Sequence, residues 1–75
     1  MDIYEKVVAN VAEQLGISTD DITAETTLED LDADSLDVGE VIMALESEFH
    51  MVIPGEDAEE IKTVGALAEY VQNNY

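Results

Sequence analysis

Leu31-Asp32-Ala33-Asp34-Ser35-Leu36-Asp37 lies near the middle of a 75-residue chain, where a polar loop gives way to a helix. Upstream, Ser18 to Asp34 is rich in Thr and Asp. Downstream, from about Ser35 to Phe49, apolar residues recur at helical spacing with glutamates between them. At 100° per residue Val38, Val41, Ile42, Leu45 and Phe49 cluster together, which predicts the core-facing stripe. Leu36, Gly39 and Met43 fall on the opposite side, edged by Asp37, Glu40, Glu46 and Ser47. Ser35 therefore stands at a helix start. Four backbone N–H groups there lack intrahelical partners, and the dipole favours negative charge. Asp34 and Ser35 are both suitable N-caps. The same position suits a phosphate ester on the Ser35 hydroxyl.

Towards the N-terminus, a helix is expected from about Ile3 to Leu15. Asp2 and Glu5 have capping-box spacing. Tyr4, Val7, Val8, Val11 and Leu15 share one face, with Glu5, Ala9, Ala12 and Glu13 away from it. Gly16 follows where a left-handed C-cap is wanted. The connection from Ser18 to Asp34 is long for so small a chain, and such loops are usually functional or flexible. Ile17, Ile22, Leu28 and Leu31 are expected to pin it, and Thr27 to cap one turn through Leu28–Leu31.

Towards the C-terminus, Met51 to Ile53 reads as a short connector closed by Pro54-Gly55. A short helix is expected from Glu56 to Ile61, with Ala58 and Ile61 turned inward. Thr63 then caps a last helix from Val64 to about Asn73, with Val64, Leu67, Ala68 and Val71 as its buried stripe and Tyr70 beside it. Asn73-Asn74-Tyr75 is expected to fray. No segment alternates at period two for long enough to make a sheet. The expected fold is an all-α bundle of three longer helices and one short one, a single domain over residues 1–75.

Composition narrows the function. Nineteen Asp and Glu face two Lys and no Arg, a formal charge of −17. Nucleic acid is excluded as a partner, because binding it needs clustered Lys and Arg. An anionic membrane surface repels such a chain, and proteins with basic patches attract it. Leu, Ile, Val and Phe make up 21 of 75 residues, above the roughly 20% below which a highly charged chain is disordered. The absence of Cys excludes a disulfide scaffold, a thiolate metal site and a Cys nucleophile. No signal peptide and no apolar run of spanning length is visible. A monomeric cytoplasmic protein without membrane insertion is expected.

Two chemistries fail on inspection. Asp30, Asp32 and Asp34 occupy positions 1, 3 and 5 of an EF-hand loop, but position 6 is Ser35 and position 12 is Val41. No metal site is assigned; loose divalent binding by clustered carboxylates stays open. An enzyme is not expected either. A nucleophilic serine needs a base within hydrogen-bond reach, and the one His, His50, lies at the far end of a helix roughly 20 Å long. Ser35 reads as a passive acceptor modified by another protein, and no residue is assigned a catalytic role.

The central run, together with Glu40 and Met43-Ala44-Leu45-Glu46, resembles the acyl carrier protein family. There the Ser of a G-A-D-S-L-D motif carries a phosphopantetheine arm. Glu13-Gln14-Leu15-Gly16, Glu48-Phe49, Ile53-Pro54 and Ala58-Glu59-Glu60-Ile61 also resemble the family, in the expected order. The match covers nearly the whole chain and is nearest to the free-standing carriers of type II fatty-acid synthesis. The resemblance implies phosphopantetheine attached at Ser35, flanked by Asp34 and Leu36, and supplied from coenzyme A by a phosphopantetheinyl transferase. It implies acyl chains carried as thioesters on that arm and sheltered in the bundle. It also implies docking through Leu36, Asp37, Glu40, Met43 and Glu46 to basic patches of an acyltransferase, a ketosynthase and other fatty-acid-synthesis enzymes. Three positions depart from the pattern: Asp32 stands where Gly is usual, His50 where an acid is common, and Gly39 where a β-branched residue is usual. A carrier for a polyketide or other specialised product is the alternative within the family. Outside it, the alternative is an acidic calcium-binding or interaction module with no covalent arm.

Overall fold

The computed structural model describes residues 2–75. Among the described residues four α-helices follow one another: α1 (Ile3–Leu15), α2 (Ser35–Phe49), α3 (Gly55–Glu60) and α4 (Val64–Asn74). Packing runs chiefly between α1 and α4 and between α1 and α2. The radius of gyration, 10.9 Å, matches the roughly 11 Å expected of a compact chain of this length. The fold is all-α. Among the described residues the one β-type pairing is an isolated antiparallel bridge, Thr27 to Thr63.

Local chemistry sets the helix ends. The Asp2 carboxylate accepts the Glu5 N–H at 2.8 Å and opens α1. Gly16 closes it at φ 68°, a left-handed cap reached without a Cβ penalty. The Thr63 hydroxyl accepts the Ala66 N–H at 3.0 Å and opens α4. The long connection holds two 3-10 turns, Thr19–Asp21 and Glu29–Leu31. The Ser18 hydroxyl caps the first and the Thr27 hydroxyl accepts the Asp30 N–H at 2.9 Å over the second. The expected turn after Thr27 therefore forms one residue later, and the turn at Thr19 was not expected.

Valine dominates the core. Val7, Val11, Val41, Leu45, Val64, Leu67 and Val71 are fully buried. Two expectations for α1 are corrected. Ala12, placed away from the core, is buried, and Tyr4, placed on the stripe, is exposed. The reason is that α1 packs against two helices, so its buried arc turns further round towards Asn10 and Ala12 than one stripe implies. The C-terminus is corrected too. α4 runs to Asn74, and the Tyr75 ring meets Phe49 edge-on at 5.1 Å and 86°, a favoured aromatic geometry. The short helix starts one residue earlier than expected, and Ile61 becomes its C-cap.

The loop is stitched to the start of α4. Gly65 N–H donates to Ala24 O at 2.9 Å, Val64 N–H to Thr26 O at 2.9 Å and Leu28 N–H to Lys62 O at 3.2 Å. Leu28 and Ile22 are buried below these bonds, which is how a long polar segment stays fixed.

Gly39 has open space where a Cβ would stand, with nothing within 4 Å. Ala adds no clash there and removes the entropic cost of Gly in a helix interior. Gly39→Ala is expected to stabilise the protein by about 1 kcal/mol, read as a higher midpoint in urea. A lower midpoint would mean that α2 needs an irregularity at this residue. Charge supplies a second expectation. Most of the nineteen carboxylates are exposed and repel one another, so added sodium chloride should raise the melting temperature. A melting temperature indifferent to salt would contradict this.

Candidate functional site

The start of α2 is built by a reciprocal cap. The Asp34 carboxylate accepts the Asp37 N–H at 2.9 Å, and the Asp37 carboxylate accepts the Asp34 N–H at 3.3 Å. Asp34 is thus the N-cap and Ser35 the first helical residue. The cap leaves the Ser35 hydroxyl uncommitted, and the residue is exposed. The turn leading in is made by Asp32 at φ 60°, ψ 25°. Asp tolerates this left-handed conformation better than most residues, though Gly adopts it at less cost. The departure from Gly at this position therefore keeps the turn and adds a charge.

Beside Ser35 opens a groove of about 640 Å³. Leu28 and Ala33 from the loop, Val38 from α2, and Ala58 and Ile61 from α3 and its cap give it an apolar lining. Glu29, Asp34, Glu59 and Lys62 also face it. Lys62 is one of only two lysines in the chain. These residues lie on separate elements, and nothing local in the sequence shows that they meet beside Ser35. The signal was weak: Leu28 and Ile61 are single apolar residues in otherwise polar segments.

Leu36, Glu40 and Met43 are spaced to share one side of α2, and all are exposed, Leu36 at 72% and Met43 at 61%. Asp37 and Glu46 are only half-exposed, because each already serves the backbone. Asp37 completes the cap, and Glu46 Oε2 accepts the Ile53 N–H at 2.8 Å. Each keeps a second carboxylate oxygen. Val52, in the connector after α2, is 77% exposed. The alternation of Met51, Val52 and Ile53 turns it outward while Ile53 is buried.

Among the described residues no three His, Asp or Glu side chains form a group able to hold a metal ion. The Asp30–Asp37 carboxylates are partly consumed locally: Asp34 and Asp37 cap each other, and Asp30 accepts the Thr27 N–H at 3.4 Å. His50 caps the far end of α2 at φ 53°, about 20 Å from Ser35 along a fifteen-residue helix. It cannot act as base for that hydroxyl.

An exposed serine at a helix start, beside an apolar groove, is open to modification by another protein. The family defined by the phosphopantetheine attachment site matches residues 5–71. Among solved structures, the acyl carrier protein from Enterococcus faecalis is similar at 38% identity over 97% of this chain and 94% of that one, with a TM-score of 0.81. This chain belongs to the acyl carrier protein family. It is a carrier rather than an enzyme, and its cofactor is covalently attached phosphopantetheine. The free hydroxyl and the adjoining groove fit such an arm. When bound, the arm supplies the thiol that holds a chain as a thioester. The carrier's own part is to present the attachment point. No helix among the described residues is long and apolar enough to cross a membrane.

Proposed function

We propose that Ser35 carries the arm and that the chain, as one carrier domain over residues 1–75, delivers acyl intermediates in fatty-acid synthesis. The observation that carries this reading is the Ser35 hydroxyl itself: exposed, excluded from the cap, and opening onto the groove between α2 and α3. Asp34 sets the helix start and Leu36 adjoins the attachment point as exposed apolar surface. A phosphodiester at Ser35 meets the free N–H groups of the first turn, which offsets repulsion from Asp34 and Asp37. A phosphopantetheinyl transferase supplies the arm from coenzyme A. An acyltransferase and a ketosynthase then load and extend the chain, meeting α2 through basic patches at Leu36, Glu40 and Met43, with the free oxygens of Asp37 and Glu46 at the edge. The carrier works as a cytoplasmic monomer. Transfer provides the test. The arm-bearing protein, mixed with an acyltransferase and ketosynthase of fatty-acid synthesis, should gain an acyl group and then lengthen it, read by intact mass. Refusal by both enzymes would move the carrier to a specialised pathway.

Glu40 provides a check on docking. Glu40→Lys leaves Ser35 and its cap untouched but reverses a charge one turn from Leu36. The rate of arm attachment should fall on the order of tenfold at low salt, and its salt dependence should weaken. An unchanged rate would remove Glu40 from the docking surface.

A further inference from the structure

Helix α3 is the least anchored of the α-helices. It has six residues, none of them buried, and Pro54 gives it no side-chain cap. Its flanks, by contrast, are tied: Ile53 N–H to Glu46 on one side, and Lys62 O to Leu28 N–H on the other. Between those ties, among the described residues, one side-chain hydrogen bond joins α3 to another helix. The Tyr70 hydroxyl on α4 donates to Asp57 Oδ2 at 2.7 Å. That bond to a carboxylate holds the Tyr70 pKa above the ordinary tyrosine value, so the donor proton stays in place throughout the neutral range. Ala58 and Ile61 line the groove beside Ser35 together with Leu28 and Val38. A segment tied at both flanks, and held in between by this bond and by the packing of Ala58 and Ile61 against the core, is a lid with a latch.

We propose that the Tyr70–Asp57 hydrogen bond is the latch that controls opening of α3 and so sets how readily an acyl chain attached at Ser35 enters the groove. The function of the latch rests on the carrier reading; its mechanics do not. Tyr70 packs its ring against the core from outside the groove, and is therefore a positioning residue. Breaking the latch lets α3 lift while its flanks stay bonded, which widens the groove without unfolding of α1, α2 or α4.

Amide hydrogen exchange on the unmodified protein tests this. Tyr70→Phe removes the donor and keeps the ring. The Ala58 and Ile61 amides, bonded to Pro54 O and Ala58 O, should exchange roughly threefold to tenfold faster. Because the latch is broken both when α3 opens and when the whole chain unfolds, the Val7 and Val11 amides should accelerate by a similar factor. Acceleration at Val7 and Val11 with Ala58 and Ile61 unchanged would overturn the proposal, since α3 would then be opening without breaking the bond. In an Asp57→Ala background the Tyr70→Phe substitution should have no further effect on these amides. A persisting effect would assign it to the ring and likewise overturn the latch. The exchange is read before any arm is attached, so a failure of loading at Ser35 would remove the carrier reading and leave this result standing.

Discussion

Ser35→Ala is expected to abolish attachment of phosphopantetheine completely while leaving the fold intact. The loss is total because alanine offers no nucleophilic oxygen. Neither of the other two serines, Ser18 and Ser47, is equivalent. Ser18 spends its hydroxyl on the Asp20 N–H, and Ser47 lies in the last turn of α2 rather than at its start. The fold survives because Asp34 is the cap. Loss of a cap costs about 1 kcal/mol, but an exposed residue outside the cap typically stays within about 0.5 kcal/mol. Circular dichroism and urea unfolding of the variant should match the parent, while its intact mass should stay unmodified after incubation with transferase and coenzyme A. A helical content well below the parent's would mean that Ser35 shares in the cap, and the loading loss would lose its meaning.

Gly65→Ala is expected to be the most damaging of the single-methyl changes. Gly65 lies in the first turn of α4, beside the loop. A Cβ there would stand 2.7 Å from Ala24 O and 3.0 Å from Ala24 Cβ. The obstructing atom is backbone, and that backbone accepts the Gly65 N–H, so it cannot withdraw without losing the bond. Forced separation would loosen the neighbouring Val64–Thr26 and Leu28–Lys62 bonds as well. Overpacking of this kind costs about 2 kcal/mol, a large fraction of the 4–11 kcal/mol or so available to a chain of this length. The melting temperature should drop by about 10 °C. Gly39→Ala, the same chemical change in open space, should raise it. Equal effects from the two would contradict the account of the loop.

Much of this was legible in the sequence because it is local. Asp34 and Asp37 are three residues apart, Gly16 follows Leu15, and the α2 stripe repeats every turn; each signal lies within a few residues of the structure it makes. Whether Asp34 or Ser35 made the cap was undecided, since both side chains suit that position. Tyr4 and Ala12 were misplaced because a helical wheel gives the direction of burial but not its width, and the width depends on α1 having two neighbours. Tyr75 was expected to fray because nothing nearby in sequence holds it; its partner Phe49 lies on another helix. The groove has the same origin. Leu28, Ala33, Val38, Ala58 and Ile61 converge through the Leu28–Lys62 bond and the packing of α3. Asp57 and Tyr70, thirteen residues apart, gave no pattern at all.

The central claim is that one hydroxyl, Ser35, carries the arm. Its most direct test is fragmentation mass spectrometry of the wild-type protein after incubation with a phosphopantetheinyl transferase and coenzyme A. A single phosphopantetheine localised to Ser35, with Ser18 and Ser47 unmodified, is the predicted result. An arm on either of those serines, or none at all, would contradict it.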